Sequence, residues 1–300
     1  MQETLSALVV FALLLAGTGV GFFGKAYLPE EHRRHETLQL IQLVMTMLVT
    51  FAALVLGLLT ASAKSSFDTV GNDFRSYAAE LIQLDMALRQ YGPEAQYPRT
   101  LLRAYTAAAI AATWPGEDPP SGDYPRFKSD LSHEKLEGIG LGQMLNDAFV
   151  AVRKLQPIDS YQQHTQAECI ARFERVIQAR WTLIEEAHSS ISKPFLTTLT
   201  FWLMIIFLCF GIVAPRNALA LVMIMLGAVS IASAVYVIVD LDTPLTGPIV
   251  SSSQPMRDAL AHLDRASAGP SGDHEPTFSP PAASKISRSH CANTRTRDDN

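Results

Sequence analysis

The amino-acid sequence predicts an all-α membrane protein with four transmembrane helices and a helical soluble region between spans 2 and 3. Four windows of the 300-residue chain carry almost no charge, and each is about as long as the roughly 20 residues that cross a bilayer. Charged residues make up only 18% of the chain, below the ~25% typical of soluble proteins. The predicted spans cover residues 4–23, 38–63, 195–214 and 217–239.

Span 1 is expected to be retained as a membrane helix. Glu3 stands where a signal peptide carries basic residues, and the apolar run that follows exceeds a typical signal-peptide core. Residues 1–63 therefore form the first membrane hairpin. Gly17, Gly21 and Gly24 give span 1 a small face, which favours close packing against another helix.

The helix of span 2 is expected to continue into water until Gly92-Pro93 stops it, because no proline or glycine pair interrupts it earlier. Large apolar residues recur along this continuation at alternating spacings of 3 and 4, which is typical of a buried helix face. We interpret the stripe as an assembly face. Its residues are Phe67, Val70, Phe74, Tyr77, Leu81, Leu84, Leu88 and Tyr91. They pack either on the helix that enters span 3 alone, or also on copies from other subunits.

Residues 64–193 form the only sizeable soluble part and are expected to be mostly helical. Residues 194–240 form the second membrane hairpin, and a juxtamembrane segment at 241–265 contains a short helix. Residues 266–300 are rich in Ser, Pro, Gly and Ala, so this tail is predicted to be disordered. Four spans place both termini and the middle region on one side of the cell membrane, which we predict to be the cytoplasmic side.

Span 2 also carries small and hydroxyl residues at spacings of 4, 3, 4, 3 and 4. They are Thr46, Thr50, Ala53, Gly57, Thr60 and Lys64. Two interpretations stay open. The stripe is a packing face, since membrane helices associate through small and hydroxyl residues, or it lines a pore whose mouth carries Lys64 to attract anions. The phase of the stripe runs on into Phe67, Val70 and Phe74, which predicts one flank sheltered by protein in lipid and in water.

Asp240 and Asp242 end span 4, where carboxylates face the negative end of the helix dipole. A basic side chain or a bound cation is expected to compensate. A Ca²⁺ site built from both residues and nearby carbonyls is one of the two alternatives.

Other functional classes are disfavoured. The net charge of −5 comes from scattered acids, so nucleic acid is not an expected partner. The sequence has no H-E-x-x-H, G-x-x-x-x-G-K-[ST] or G-x-S-x-G motif, so we do not expect an enzyme. Membrane lipid, inorganic anions and copies of the chain itself are the expected partners.

Four segments of the chain resemble the bestrophin-like domain family of bacterial membrane proteins. They are GLLTASAKSSFD (57–68), YAAELIQLDMALRQYGPEA (77–95), FWLMIIFLCFGIVAPRN (201–217) and VDLDTPLTG (239–247). The resemblance implies four spans, a cytosolic helical region and a distant relation to bestrophins, which are pentameric anion channels. In bestrophins the second span lines the pore, and an acidic segment after the last span helps bind Ca²⁺. Span 2 and the pair Asp240 and Asp242 stand at the corresponding places.

The sequence departs from that pattern in two respects. Bestrophin pores narrow at apolar, mostly aromatic residues on span 2, where this chain has only Phe51, and the family's usual Pro-Phe reads Pro244-Leu245. The expected function is an oligomeric anion channel. The alternative is a non-conducting membrane scaffold or sensor that binds a partner through its stalk helices, which are the continuation of span 2 and the helix that enters span 3.

Overall fold

The structure is a computed structural model that describes residues 2–27, 35–126, 138–188, 193–215, 217–245 and 247–265. Within these ranges the chain forms α-helices, one 3₁₀ turn and no β-strand. The helices are α1 (Gln2–Tyr27), α2 (His35–Tyr91), α3 (Gln96–Thr113), α4 (Ile139–Arg153), α5 (Ser160–His188), α6 (Lys193–Val213), α7 (Ala218–Leu241) and α8 (Gln254–Arg265). The disorder predicted for 266–300 concerns residues outside the described part.

Four of these helices, α1, α2, α6 and α7, are long and apolar enough to cross a membrane, which confirms the predicted fold class. The helix α2 has 57 residues and is therefore about 85 Å long, nearly three times the ~30 Å hydrocarbon core of a bilayer. Its first part forms span 2, and its C-terminal part runs on without a break into the soluble region. The predicted continuation of span 2 is confirmed.

Glycines bring α1 and α6 into backbone contact within the membrane. A Cβ atom placed on Gly21 would stand 2.1 Å from the Leu208 carbonyl oxygen, and one placed on Gly211 would stand 2.2 Å from the Thr18 carbonyl oxygen. A Cβ on Gly17 would also approach the α6 backbone, at 2.9 Å. The two helices can approach this closely only because these positions lack side chains.

The remaining glycine of the predicted face behaves differently. A Cβ on Gly24 would meet nothing within 4 Å, so its assignment to the close-packing face is wrong. One residue further, Lys25 Nζ donates a hydrogen bond of 3.0 Å to the Ala214 carbonyl oxygen. This contact supplies a positive charge at the C-terminal end of α6, where the helix dipole favours it.

The apolar stripe on the soluble part of α2 is buried inside the single chain. Seven of its eight residues are at most 2% exposed, and Phe67 packs on the membrane core. The stripe contacts α5 most extensively, in a core that also includes residues of α3, α4 and α8. The packing of the two stalk helices on each other is confirmed. Since seven residues of the stripe are already covered within one chain, packing on α5 accounts for their burial, and additional contacts with copies of the chain stay a prediction.

After α7 the chain passes the C-terminal end of α3 and contacts it before and within α8. Trp114 Nε1 donates a hydrogen bond of 2.8 Å to the Ser251 carbonyl oxygen. Arg257, near the start of α8, donates to the Asp118 carbonyl oxygen at 2.8 Å and pairs with Glu117 at 2.9 Å. The apolar face of α8 is buried against α2 and α3. The short helix expected in the juxtamembrane segment is confirmed.

Candidate functional site

The membrane part of α2 presents three flanks of different character. The buried flank packs on the other spans and consists of Ala52, Leu59 and Ala63. The threonine flank is exposed in the single chain and consists of Thr46, Thr50, Gly57, Thr60 and Lys64. The leucine flank is also exposed and consists of Leu40, Met47, Phe51, Leu54 and Leu58. With 3.6 residues per turn, the centres of these flanks lie roughly 120° apart around the helix.

The threonine flank does not continue into the buried stripe of the soluble region. Val70 and Phe74 are at most 1% exposed, and they extend the buried flank through Leu59 and Ala63. A strict seven-residue repeat drifts by roughly 20° per heptad on a straight α-helix, so a pattern followed over three heptads changes flank. The predicted single sheltered flank exists, but the threonines are not on it.

Each threonine hydroxyl of this flank is bonded to its own helix. Thr46 Oγ1 donates to the Gln42 carbonyl oxygen at 2.8 Å, and Thr50 Oγ1 donates to the Thr46 carbonyl oxygen at 2.9 Å. Thr60 Oγ1 donates to the Leu56 carbonyl oxygen at 2.8 Å. This i−4 bond is how a threonine within a helix satisfies its hydroxyl hydrogen. In this rotamer the flank presents oxygen acceptors, and a hydroxyl must release its carbonyl before it can donate to an anion.

Lys64 stands at the soluble end of the threonine flank and is bound on one side. Its ammonium forms an ion pair with Asp68, one helical turn further on. The same ammonium lies 5.5 Å from the centroid of the Phe67 ring, within the range of a cation–π contact. Both partners follow Lys64 along α2, so they draw its charge toward the soluble region.

Asp240 and Asp242 occupy different environments at the end of α7. Asp240 is fully buried, and its Oδ2 accepts a hydrogen bond of 3.2 Å from the Ile249 backbone N–H. Its carbonyl oxygen accepts from the Thr243 backbone N–H at 3.2 Å, so the residue orders the turn that follows α7. Asp242 is half-buried. In the part of the chain that the structure describes, no three His, Cys, Asp or Glu residues form a group suited to a metal ion. Calcium at this pair stays a prediction.

Sequence reasoning missed a buried ionic cluster that links α2 to α3 and α8. Asp85 on α2 is 1% exposed and accepts hydrogen bonds from Arg99 Nε at 2.8 Å and Arg89 Nε at 2.7 Å. Arg89 Nη2 also donates to the His262 carbonyl oxygen of α8 at 3.2 Å. The available sequence signal was that Asp85 directly follows Leu84 of the apolar stripe. A carboxylate beside a buried helix face is expected to need cationic partners.

A second polar cluster surrounds Arg180, which interrupts the apolar face of α5. The hydroxyls of Tyr77 and Tyr105 are 2.5 Å apart, and Arg180 is only 4% exposed. Burial raises the pKa of the Tyr105 hydroxyl, although the Arg180 guanidinium beside it acts in the opposite direction. The break in the apolar pattern was visible in the sequence, but its tyrosine partners lie on other helices.

Comparison with known proteins bears on the family and the fold. The family model described as Bestrophin-like domain matches residues 11–256. No curated protein matches the chain. Among solved structures, a bacterial bestrophin homologue from Klebsiella pneumoniae carrying a tryptophan-to-alanine mutation has a TM-score of 0.59 at 13% identity, over 88% of this chain and 97% of that chain.

Two further crystal structures of the Klebsiella pneumoniae homologue give the same result. One with a tyrosine-to-alanine mutation has a TM-score of 0.59 at 14% identity, over 86% of this chain and 97% of that one. Another, solved by Zn-SAD phasing, has a TM-score of 0.56 at 13% identity, over 87% and 98%. At these identities the likeness concerns the fold.

Proposed function

This chain belongs to the Bestrophin-like domain family, and we propose that it is the subunit of a homo-oligomeric membrane channel that conducts inorganic anions passively. In this proposal the threonine flank of α2 lines the conducting path, and copies of the chain surround that path. The soluble helical region and both termini lie in the cytoplasm.

The contrast between the two exposed flanks of α2 carries the proposal. The leucine flank bears large apolar side chains that are 53% to 63% exposed in the single chain, as expected of a surface that meets lipid or apolar protein. The threonine flank bears no large apolar side chain and leads to the Lys64–Asp68 ion pair at its soluble end. Small hydroxyl side chains suit a hydrated path because they leave room for an ion and offer polar atoms to its hydration shell.

The scaffold alternative draws less support from the same helix. It required the apolar stripe of the stalk to be available to a partner, whereas that stripe is buried against α5 in the single chain. The threonine flank could also serve as a dry packing face between subunits, because small and hydroxyl residues favour helix association. An experiment must therefore distinguish a threonine flank that lines a water-filled path from one that packs between subunits without water.

Anion flux from liposomes that contain the purified full-length chain tests conduction. We expect chloride efflux above that of empty liposomes. We also expect Thr50→Trp to reduce this flux strongly because the indole would narrow the path, whereas Leu58→Trp, on the leucine flank of the same helix, should leave it unchanged. Absence of flux from the unmodified chain under any ionic condition would overturn the proposal.

Assembly, orientation and calcium each have a direct test. Native mass spectrometry of the detergent-solubilised protein should give the mass of a homo-oligomer, and a monomer would contradict the proposal. A reporter that works only in the cytoplasm should be active when it is fused at residue 300. Activity of a reporter that works only outside the cytosol would overturn this orientation. Calorimetric titration that detects no Ca²⁺ binding would remove the predicted role of Asp240 and Asp242.

A further inference from the structure

We infer that the Lys64–Asp68 ion pair sets the balance between anions and cations at the soluble end of the path, with Asp68 reducing the preference for anions. This inference rests on the proposed function, because it assigns a role to a charged pair on the threonine flank. It concerns ion preference, whereas the proposal above concerns conduction itself.

The position of the pair gives it this influence. Residues 38–63 contain no charged side chain, so Lys64 carries the first charge that an ion meets on α2 beyond the membrane segment. Asp68 follows one turn later on the same side of the helix, and both side chains are a little more than half exposed. Arg75 is the next exposed cation of this flank and lies about 16 Å beyond Lys64 along the helix axis.

The charges of the pair cancel where the path leaves the bilayer. A ring of uncompensated lysines would raise the local anion concentration and exclude cations, since a constriction lined by one sign of charge concentrates its counter-ions. The Asp68 carboxylate at ion-pairing distance offsets each Lys64 ammonium. An ion at this level then meets a dipole on each subunit, with the negative end toward the soluble region.

The threonines do not restore an anion preference by themselves. The hydroxyl hydrogens of Thr46, Thr50 and Thr60 are all used in bonds to carbonyl oxygens of α2. With their hydrogens used in this way, the hydroxyl oxygens can only accept, which favours cations over anions. The charge at the mouth therefore has the larger influence on whether anions or cations permeate. Asp68 reduces the preference for anions because it offsets the positive charge of Lys64.

Reversal potentials measured in planar bilayers under a potassium chloride gradient test the inference. We expect Asp68→Asn to raise the chloride-to-potassium permeability ratio by at least about threefold, and Lys64→Gln to lower it by a similar factor. The double variant Lys64→Gln/Asp68→Asn removes both charges, so its ratio should return toward that of the unmodified chain. Glu174→Gln removes an exposed carboxylate from α5 and should not change the ratio.

The outcomes separate the two proposals. If the unmodified chain conducts but both single variants keep its permeability ratio, the role of the ion pair is refuted and conduction stands. If the double variant shifts the ratio as far as Asp68→Asn does, charge cancellation is the wrong explanation. If no variant and no unmodified protein carries current, both proposals fall.

Discussion

The backbone contact between α1 and α6 makes Gly211→Ala a stringent test of the membrane packing. The new methyl group would stand 2.2 Å from the Thr18 carbonyl oxygen and 2.8 Å from the Phe22 nitrogen, whereas ordinary contact begins at 3.4 Å. Neither neighbour is the end of a flexible side chain, so the helices must separate locally by roughly 1 Å. Overpacking of this kind typically costs about 1–3 kcal/mol, and we expect the free energy of unfolding to fall by about 2 kcal/mol.

Gly19→Ala provides the matched control on α1. A Cβ at Gly19 meets nothing within 4 Å, and alanine is favoured over glycine within a helix by up to about 1 kcal/mol, so this variant should be as stable as the unmodified protein or slightly more stable. Both can be compared by titration with sodium dodecyl sulfate in mixed micelles, with the fluorescence of Trp202 on α6 among the signals. Equal stability of the two variants would refute the close approach of α1 and α6.

Two further predictions concern the soluble region. Arg99→Met leaves Asp85 buried with one cationic partner fewer, so we expect the free energy of unfolding to fall by about 3 kcal/mol, whereas Arg172→Met, which breaks a partly exposed ion pair, should cost about 1 kcal/mol or less. Burial raises the pKa of the Cys169 thiol from 9.0 to about 12, so the folded chain keeps a proton that the unfolded chain releases. Stability should therefore fall as the pH rises from 9.0 to about 12, and Cys169→Ala should lose that part of the fall. Similar losses in both arginine variants, or an unchanged pH profile in Cys169→Ala, would contradict these assignments.

The membrane spans and the length of α2 could be read from the sequence because each depends on local composition. Charge-free windows identified all four spans, and the absence of a breaker before Gly92 indicated that α2 continues into water. The apolar stripe was equally legible, since Leu81, Leu84 and Leu88 repeat at helical spacing. The spacing does not show which surface covers the stripe. In the structure, α5 of the same chain covers it.

The flank of the threonines could not be assigned from spacing alone. A pattern of alternating 3 and 4 averages 3.5 residues, and an α-helix turns every 3.6, so a phase extrapolated from Thr46 to Phe74 accumulates an error of roughly 80°. Contacts between distant segments were also beyond the sequence. Trp114 and Ser251 are 137 residues apart, and nothing in their local composition predicts that they meet.

The reaction of a cysteine at position 50 with a water-soluble thiol reagent tests the central claim most directly. The measurement uses the full-length protein in liposomes with its native cysteines replaced by alanine, and it compares Thr50→Cys with Leu58→Cys on the leucine flank. The proposed path predicts that Thr50→Cys reacts readily and that its anion flux falls on modification, while Leu58→Cys stays unreactive. A Thr50→Cys that is as unreactive as Leu58→Cys would show a dry flank and contradict the proposed path.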